Sequence, residues 1–339
     1  MNLIMPRLLN KVSYFAALSL TQVSCGGPSQ LAGDSQTAST VSTSETCTFL
    51  GDKYESKVLL PAGSHKGECA DTTQARSVIQ VTEGSGLDKD IIRVANVGHN
   101  GSFWLAEFPN NGVEDVIFQM ERFPAAVPAA HTQIRLKFKK ESPVRLTDQL
   151  DPNKQIFLRE FALSTEAIGQ KGWKYDLIKG MKDEYLTAYR ITSMADKYKW
   201  MVLTQKHSVE QWSLDLTEDE KQLILPAYVK RATEKGMLST YHTLWRNCTN
   251  ELFKVFDSTL RYGGLRAIPV IFTKINETYP VIVHGALNSR GLIRYRDLPP
   301  VYPADRPLDK TTQMPSREEI KLPNLEHEKN LVLDESIQH

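Results

Sequence analysis

Two Asn-Gly turns, "GHNG" at 98–101 and "PNNG" at 109–112, constrain this chain more than any other feature. Each joins runs with strand-type alternation: "DIIRVANV" before the first, "SFWLAEF" between them and "VEDVIFQM" after the second. Asn-Gly takes up the positive-φ turn whose twist matches that of two antiparallel strands. The stretch therefore predicts an antiparallel meander, with His99 as an exposed residue of its first turn. Alternation continues in "HTQIRLKF" (131–138), where Ile134, Leu136 and Phe138 share one face and His131, Gln133, Arg135 and Lys137 the other. The basic stretch "RLKFKK" (135–140) reads as one solvated strand face. "QIFLREFALS" (155–164), "TAYRITS" (187–193), "WMVLTQK" (200–206) and "VEQWSLDL" (209–216) are further strand candidates.

The period then changes. "LTEDEKQLILPAYVKRATEKG" opens with a capping box, Thr217 and Glu220, and closes at Gly236, with Pro226 expected to kink or split the helix. A second helix opens at Cys248 and carries Leu252, Val255, Phe256 and Leu260 at helical spacing. Strands followed by helices predict an α+β fold, an antiparallel sheet with a hairpin-rich N-terminal region.

The ends read differently. Arg7 and Lys11, then "VSYFAALSL" and "TQVSCGG", have the form of an export signal, and the apolar run is too short to span a bilayer. Cys25 closes that run as the lipidation site of a bacterial lipoprotein does. Val23 and Ser24 agree with that motif, whereas Gln22 stands where leucine is usual. Simple secretion after cleavage near Gly26 is the alternative. Gly26 in place of aspartate favours the outer membrane, so the first partner expected is an outer-membrane lipid anchor. Residues 26–45 are small and polar and read as a flexible linker. Residues 46–125 form the β-rich N-terminal region, 126–296 the core, and 297–339 a proline- and charge-rich tail.

A net charge of +1 gives no reason to expect a nucleic-acid partner. The sequence has no glycine-rich phosphate loop and no CxxC or HExxH pattern, so neither metal nor cofactor is expected. Export makes a disulfide between Cys47 and Cys69 the natural pairing, worth about 3 kcal/mol. With Cys25 acylated, Cys248 is left as a lone thiol, which an oxidising compartment tolerates only when it is deeply buried or used.

At a helix N-terminus the free N–H groups stabilise a thiolate, the reactive form. A nucleophile also needs a base, and the base an orienting group. His131, His207, His242 and His284 are the candidate bases. His131 is preferred: it begins a strand on the polar face and follows the irregular "FPAAVPAA", which could line a cleft. Glu166, at the end of the next long strand in "LSTEA", is the carboxylate to orient it. An ordinary edge-strand histidine is the competing reading of His131.

The segment "VEQWSLDLTEDEKQLIL…YHTLWRNCTNELFKVFD" resembles the Lnb N-terminal periplasmic domain family. That family has a strand leading into an acidic helix start, a tyrosine, and an Asn-Cys-Thr or Asn-Cys-Ser motif opening a helix. "AAHTQIRLKF" resembles the family's histidine segment, with Ala130 where the family has glycine. "LSTEA" and "YPVIVHGALNSRGLI" are similar to further family segments, and the likeness spans roughly 90–295. The order histidine, carboxylate, cysteine resembles the circularly permuted, papain-like branch of the NlpC/P60 group, whose members use a cysteine acyl-enzyme. The resemblance implies a thiol hydrolase or acyltransferase acting on an amide or ester, with Cys248, His131 and Glu166 as its catalytic groups. Asn247 or Thr249 would support the oxyanion, and peptidoglycan or another envelope acyl group would be the substrate. The alternative is a non-catalytic binding or maturation module of the envelope.

Overall fold

The computed structural model describes residues 47, 51–55, 57–82, 90–123, 130–260, 280–293 and 297–301. The export-signal, Cys25 and linker assignments lie outside these residues, as do 124–129 and the tail beyond 301.

The chain is a mixed α+β protein built on one large sheet. Its strands are β1 (Ile79–Gln80), β2 (Ile91–His99), β3 (Ser102–Pro109), β4 (Val113–Arg122), β5 (Ala130–Phe138) and β6 (Val144–Asp148). They continue with β7 (Gln155–Leu158), β8 (Glu160–Ile168), β9 (Tyr185–Ser193), β10 (Ser208–Ser213), β11 (Thr240–Tyr241) and β12 (Asp297–Val301). The order across the sheet is β12-β10-β4-β5-β8-β9-β2-β3-β6-β7, with β1 on β2 and β11 on β9. Every pairing is antiparallel except β2 with β9. Strands from before and after residue 125 interleave in this order, so the sheet runs across that proposed boundary.

The meander forms as expected, with Asn100 (φ 50°) and Gly101 (φ 71°) making its first turn. His99 does not belong to that turn. It is the last residue of β2, is buried, and shares a 2.8 Å hydrogen bond between Nδ1 and Ser193 Oγ. Two residues suffice for the turn, so His99 stays in the ladder opposite Ser102, its ring edge-on to Trp104.

Helices cover one face. Helix α3 (Glu218–Lys235) keeps its capping box and passes through Pro226 without a break. The missing N–H costs one bond, while burial of Ile224, Leu225, Tyr228 and Val229 holds the segment on the sheet. Helix α4 (Cys248–Thr259) packs Phe253 and Phe256 against Phe118. Ile134, Leu136, Phe138, Phe161 and Leu163 complete this apolar layer. Helix α5 (Val283–Ser289) adds Val283, Ala286 and Leu287 to it.

The opposite face is covered too, which corrects two expectations. "WMVLTQK" is not a strand: Ser193 caps helix α2 (Met194–Tyr198), and the chain runs on as a π-helix over Lys199–Thr204. Met201 and Val202 are buried between exposed Trp200 and Leu203, a helical rather than an alternating pattern. Nor is Arg135 solvated: roofed by α2, it donates from Nε to Glu160 Oε2 at 2.6 Å and from Nη1 to Gln211 Oε1 at 3.2 Å. "QIFLREFALS" divides at Arg159, whose Nε turns to the Phe138 carbonyl at 3.0 Å. Residues 297–301, assigned to the tail, form β12 against β10.

Cys47 and Cys69 are disulfide-bonded, and Cys248 is a free, buried thiol among the described residues. The segment the disulfide closes is fastened to the body by Arg76, which pairs with Asp52 at 2.5 Å and Glu55 at 3.2 Å.

Candidate active site around Cys248

Helix α4 starts where it does because Asn247 is an N-cap. Its Oδ1 accepts from the backbone N–H groups of Thr249 and Asn250, both at 3.0 Å, and its Nδ2 donates to the Thr243 carbonyl at 2.7 Å. Asn250 answers by accepting from the Asn247 N–H at 2.8 Å. The first turn is thus fixed from both sides, with Cys248 as the first helical residue. Thr249 is fully buried, its hydroxyl 3.0 Å from that of Thr132 on β5. The side chain of Asn247 therefore ties the helix start to the preceding turn, and that of Thr249 ties it to the sheet.

The sheet opens where the helix meets it. Strand β5 pairs with β4 along its whole length, including His131 opposite Glu121. Its pairing with β8 ends at Gln133 opposite Ser164, while β8 continues alongside β9 to Ile168. Residues 130–132 consequently lack a β8 neighbour, and the thiol sits against this gap. Thr132 turns its backbone N–H and its side chain to the sulfur. Alternation points His131 toward the α2 face, yet its ring interacts with the thiol of a helix on the other face. The gap is what allows the two to meet.

Burial alone would raise the thiol pKa. The charge of the neighbouring His131 ring, followed by the influence of Thr132, outweighs it and brings Cys248 down to about 7. For His131, burial works against the charged ring, and the thiolate more than compensates, so its pKa is raised. Nε2 of His131 is buried and finds no hydrogen-bond partner among the described residues. Cys248 is only 3% exposed, and His131 is half-buried.

Glu166 reaches His131 by charge rather than by a hydrogen bond. Its Oε1 accepts from Lys197 Nζ at 2.6 Å and Ser164 Oγ at 2.8 Å, and its Oε2 from Arg190 Nη1 at 2.5 Å. Burial would raise its pKa, but the two cations hold it well below the usual carboxylate range. Continuing the β5/β8 register would bring Glu166 opposite His131, so the carboxylate lies on the same face without touching the ring. The other histidines have separate duties. His207 Nδ1 is 2.5 Å from Glu121 Oε1, His242 Nδ1 accepts from the N–H of Leu244 at 3.1 Å, and His284 packs on Trp212.

Tyrosines wall the thiol, and motif spacing did not single them out. The Tyr241 hydroxyl faces both the thiol and the backbone N–H of Cys248. Burial, then the neighbouring thiolate, keep its pKa well above that of an ordinary phenol, so it remains a proton donor. Tyr175, edge-on to Tyr241 at 6.0 Å, also feels the thiol's charge. The one sequence cue is the position of Tyr241 at the head of "YHTLWRNC"; nothing in spacing alone turns its hydroxyl to the helix start. Among the described residues no group of three or more His, Cys, Asp and Glu side chains could hold a metal ion.

A model of the Lnb N-terminal periplasmic domain family matches residues 102–277, just over half of the chain. The chain belongs to this family. The match runs from β3 past the end of α4, so His131, Glu166, Tyr241 and Cys248 all lie in the family domain. The disulfide-closed segment and β12 lie outside it. The family is a periplasmic one, and no helix among the described residues is long and apolar enough to cross a membrane. No curated protein and no solved structure gives a significant match to the chain.

Proposed function

We propose that this family domain is a thiol-dependent hydrolase or acyltransferase, acting on an amide or ester in the cell envelope, with a circularly permuted, papain-like (NlpC/P60-like) arrangement. The observation that carries the reading is the Cys248–His131 pair, whose thiol is brought down to about 7 although it is buried. A thiol kept only for packing would be shifted the other way by burial.

In this mechanism the Cys248 thiolate attacks the acyl carbon and the carbonyl becomes an oxyanion. The backbone N–H of Cys248 and the Tyr241 hydroxyl meet that charge, while Asn247 and Thr249 keep the helix start in place. His131, protonated when the thiolate forms, gives its proton to the leaving amine or alcohol as the C–N or C–O bond breaks. A thioester remains on Cys248. Water, or an acceptor amine or alcohol, then loses its proton to His131 as it attacks the thioester, and the thiolate leaves. Glu166 stabilises the imidazolium by charge. Peptidoglycan peptides are the nearest substrate class by compartment, followed by lipid or protein acyl groups. Acylation of Cys25 would hold the protein at the outer membrane.

A binding or maturation module is the second reading. It is favoured by the low exposure of the sulfur and by the binding of Glu166 to Lys197 and Arg190 instead of the imidazole. A thiol-reactive probe on folded protein decides between the two. Labelling of Cys248 near neutral pH, with a thioester adduct trapped from an activated acyl donor, supports the enzyme. Labelling only after denaturation sinks it.

A further inference from the structure

Beside the thiol lies a knuckle of apolar side chains that the proposed chemistry does not use. Helix α1 (Leu177–Met181) is capped by Asp176, which accepts from the Lys179 N–H at 2.8 Å. The helix is held down along one edge. The Thr243 N–H donates to the Gly180 carbonyl at 3.1 Å, and Tyr175 Oη lies 2.8 Å from Thr243 Oγ1. Gly180 is required there, because a Cβ would come within 2.4 Å of the Thr243 hydroxyl. The edge left over carries Leu177, Ile178 and Met181, all exposed, and the tied turn adds Trp245, which is 64% exposed. With exposed Tyr175 these project from two segments, α1 and the turn, that are tied together by the bonds just named.

Cations outnumber acids around this tip: Lys171, Lys174, Lys179, Lys182 and Arg246 against Asp176, Asp183 and Glu184. Lys171, Lys174 and Lys182 are exposed beside it. The acids have partners of their own: Asp176 caps the helix, Asp183 pairs with Arg246, and Glu184 lies against Gly63 and lines a small cavity with Lys174 and Lys179. An apolar tip with an indole and a phenol at its margin, ringed by lysines, has the composition of a segment lying in a membrane interface. Five side chains are too few for a stable protein interface, which needs about 20 residues a side.

We propose that this knuckle docks the domain on a lipid surface bearing anionic headgroups. Leu177, Ile178 and Trp245 enter the headgroup–acyl boundary, and the lysines lie over the phosphates. Thr243 links the tip to the site, accepting from Asn247 Nδ2 through its carbonyl. The inference stands whether or not Cys248 turns over a substrate.

The test is co-sedimentation of the full chain carrying Cys25→Ser, so that no acyl anchor contributes. The vesicles are phosphatidylcholine alone or phosphatidylcholine mixed with phosphatidylglycerol. Binding should require the anionic lipid and weaken with salt. The triple variant Leu177→Ser, Ile178→Ser, Trp245→Ser should lose at least tenfold in affinity while its near-ultraviolet circular dichroism stays native. Lys171→Gln with Lys182→Gln should cost about fivefold per lysine on the anionic vesicles. Equal binding to both vesicle types, or a folded triple variant that binds as the parent does, would overturn the proposal. So would loss of self-association in the variants, seen by sedimentation velocity, without loss of vesicle binding. If the triple variant unfolds, the lysine pair, which is exposed, decides the matter alone.

Discussion

A thiol that ionises near pH 7 is half thiolate at neutrality, so its alkylation rate should climb through pH 7 and level off above it. His131→Ala removes the largest opposing influence on burial. The midpoint should then move upward, and alkylation at pH 7 should slow by about tenfold for each unit of the move. The signs for stability differ within the pair. Cys248, with its folded pKa depressed, contributes stability above its unfolded pKa that is lost as pH falls through about 7. His131, with its pKa raised, contributes below about 6.5 and loses that contribution as pH rises through its folded value. A measured alkylation midpoint that is the same in both proteins would remove His131 as the base. Glu166→Gln should behave otherwise. Lys197, only 8% exposed on its side chain, and Arg190 lose their common partner, so unfolding in urea should show a loss of about 3 kcal/mol. The thiol should respond less than it does to His131→Ala, because Glu166 acts on the imidazole through charge alone. That His131 lies in a strand and Cys248 opens a helix was legible, because strand alternation and the helix start are local signals; that the ring meets a thiol from the other face was not. Nor were the contacts of Glu166 legible, since they depend on Lys197, from a helix whose place over that face no short-range pattern announces.

At the scale of elements, the capped start of α4 is the part on which the rest depends. Asn247→Ala deletes the acceptor for two backbone N–H groups and should lower stability by about 1–2 kcal/mol in chemical denaturation. It should also raise the alkylation midpoint of Cys248, since a loosened first turn no longer holds the sulfur against Thr132. An unchanged midpoint alongside lower stability would mean that the cap serves folding only. Where the sequence misled, one error led to another. The run Trp200–Lys206 has the apolar content of a strand, and only the cap at Ser193 and the resulting π-helix make it a cover for the polar face. Without that cover Arg135 and Gln133 look solvated. With it they are buried, and Arg135 answers to Glu160 across β5 and β8. The meander, α3 and α4 were legible because their turns and caps lie within a few residues of the elements they shape.

For the whole molecule, the attachment is the prediction most easily checked. Cys25→Ser should release the protein from the membrane pellet into a high-salt wash, apart from the weaker, salt-sensitive contact proposed for α1. Retention after that wash would refute lipidation. Residues 297–301 show how far apart the pieces of the sheet lie in the chain: β12 closes an edge next to β10, about ninety residues after it in sequence. The gap between β5 and β8 has a consequence for how a newly made chain can be judged. Sliding β5 by a single residue exchanges its two faces, driving Gln133 and Arg135 into the aromatic layer and turning His131 away from the opening. A chain in the wrong register therefore has an inert sulfur. If Cys248 acts as proposed, its reactivity should be acquired only when the rungs from Gln133 to Lys137 are in place, so a competent site would itself be a certificate of correct assembly.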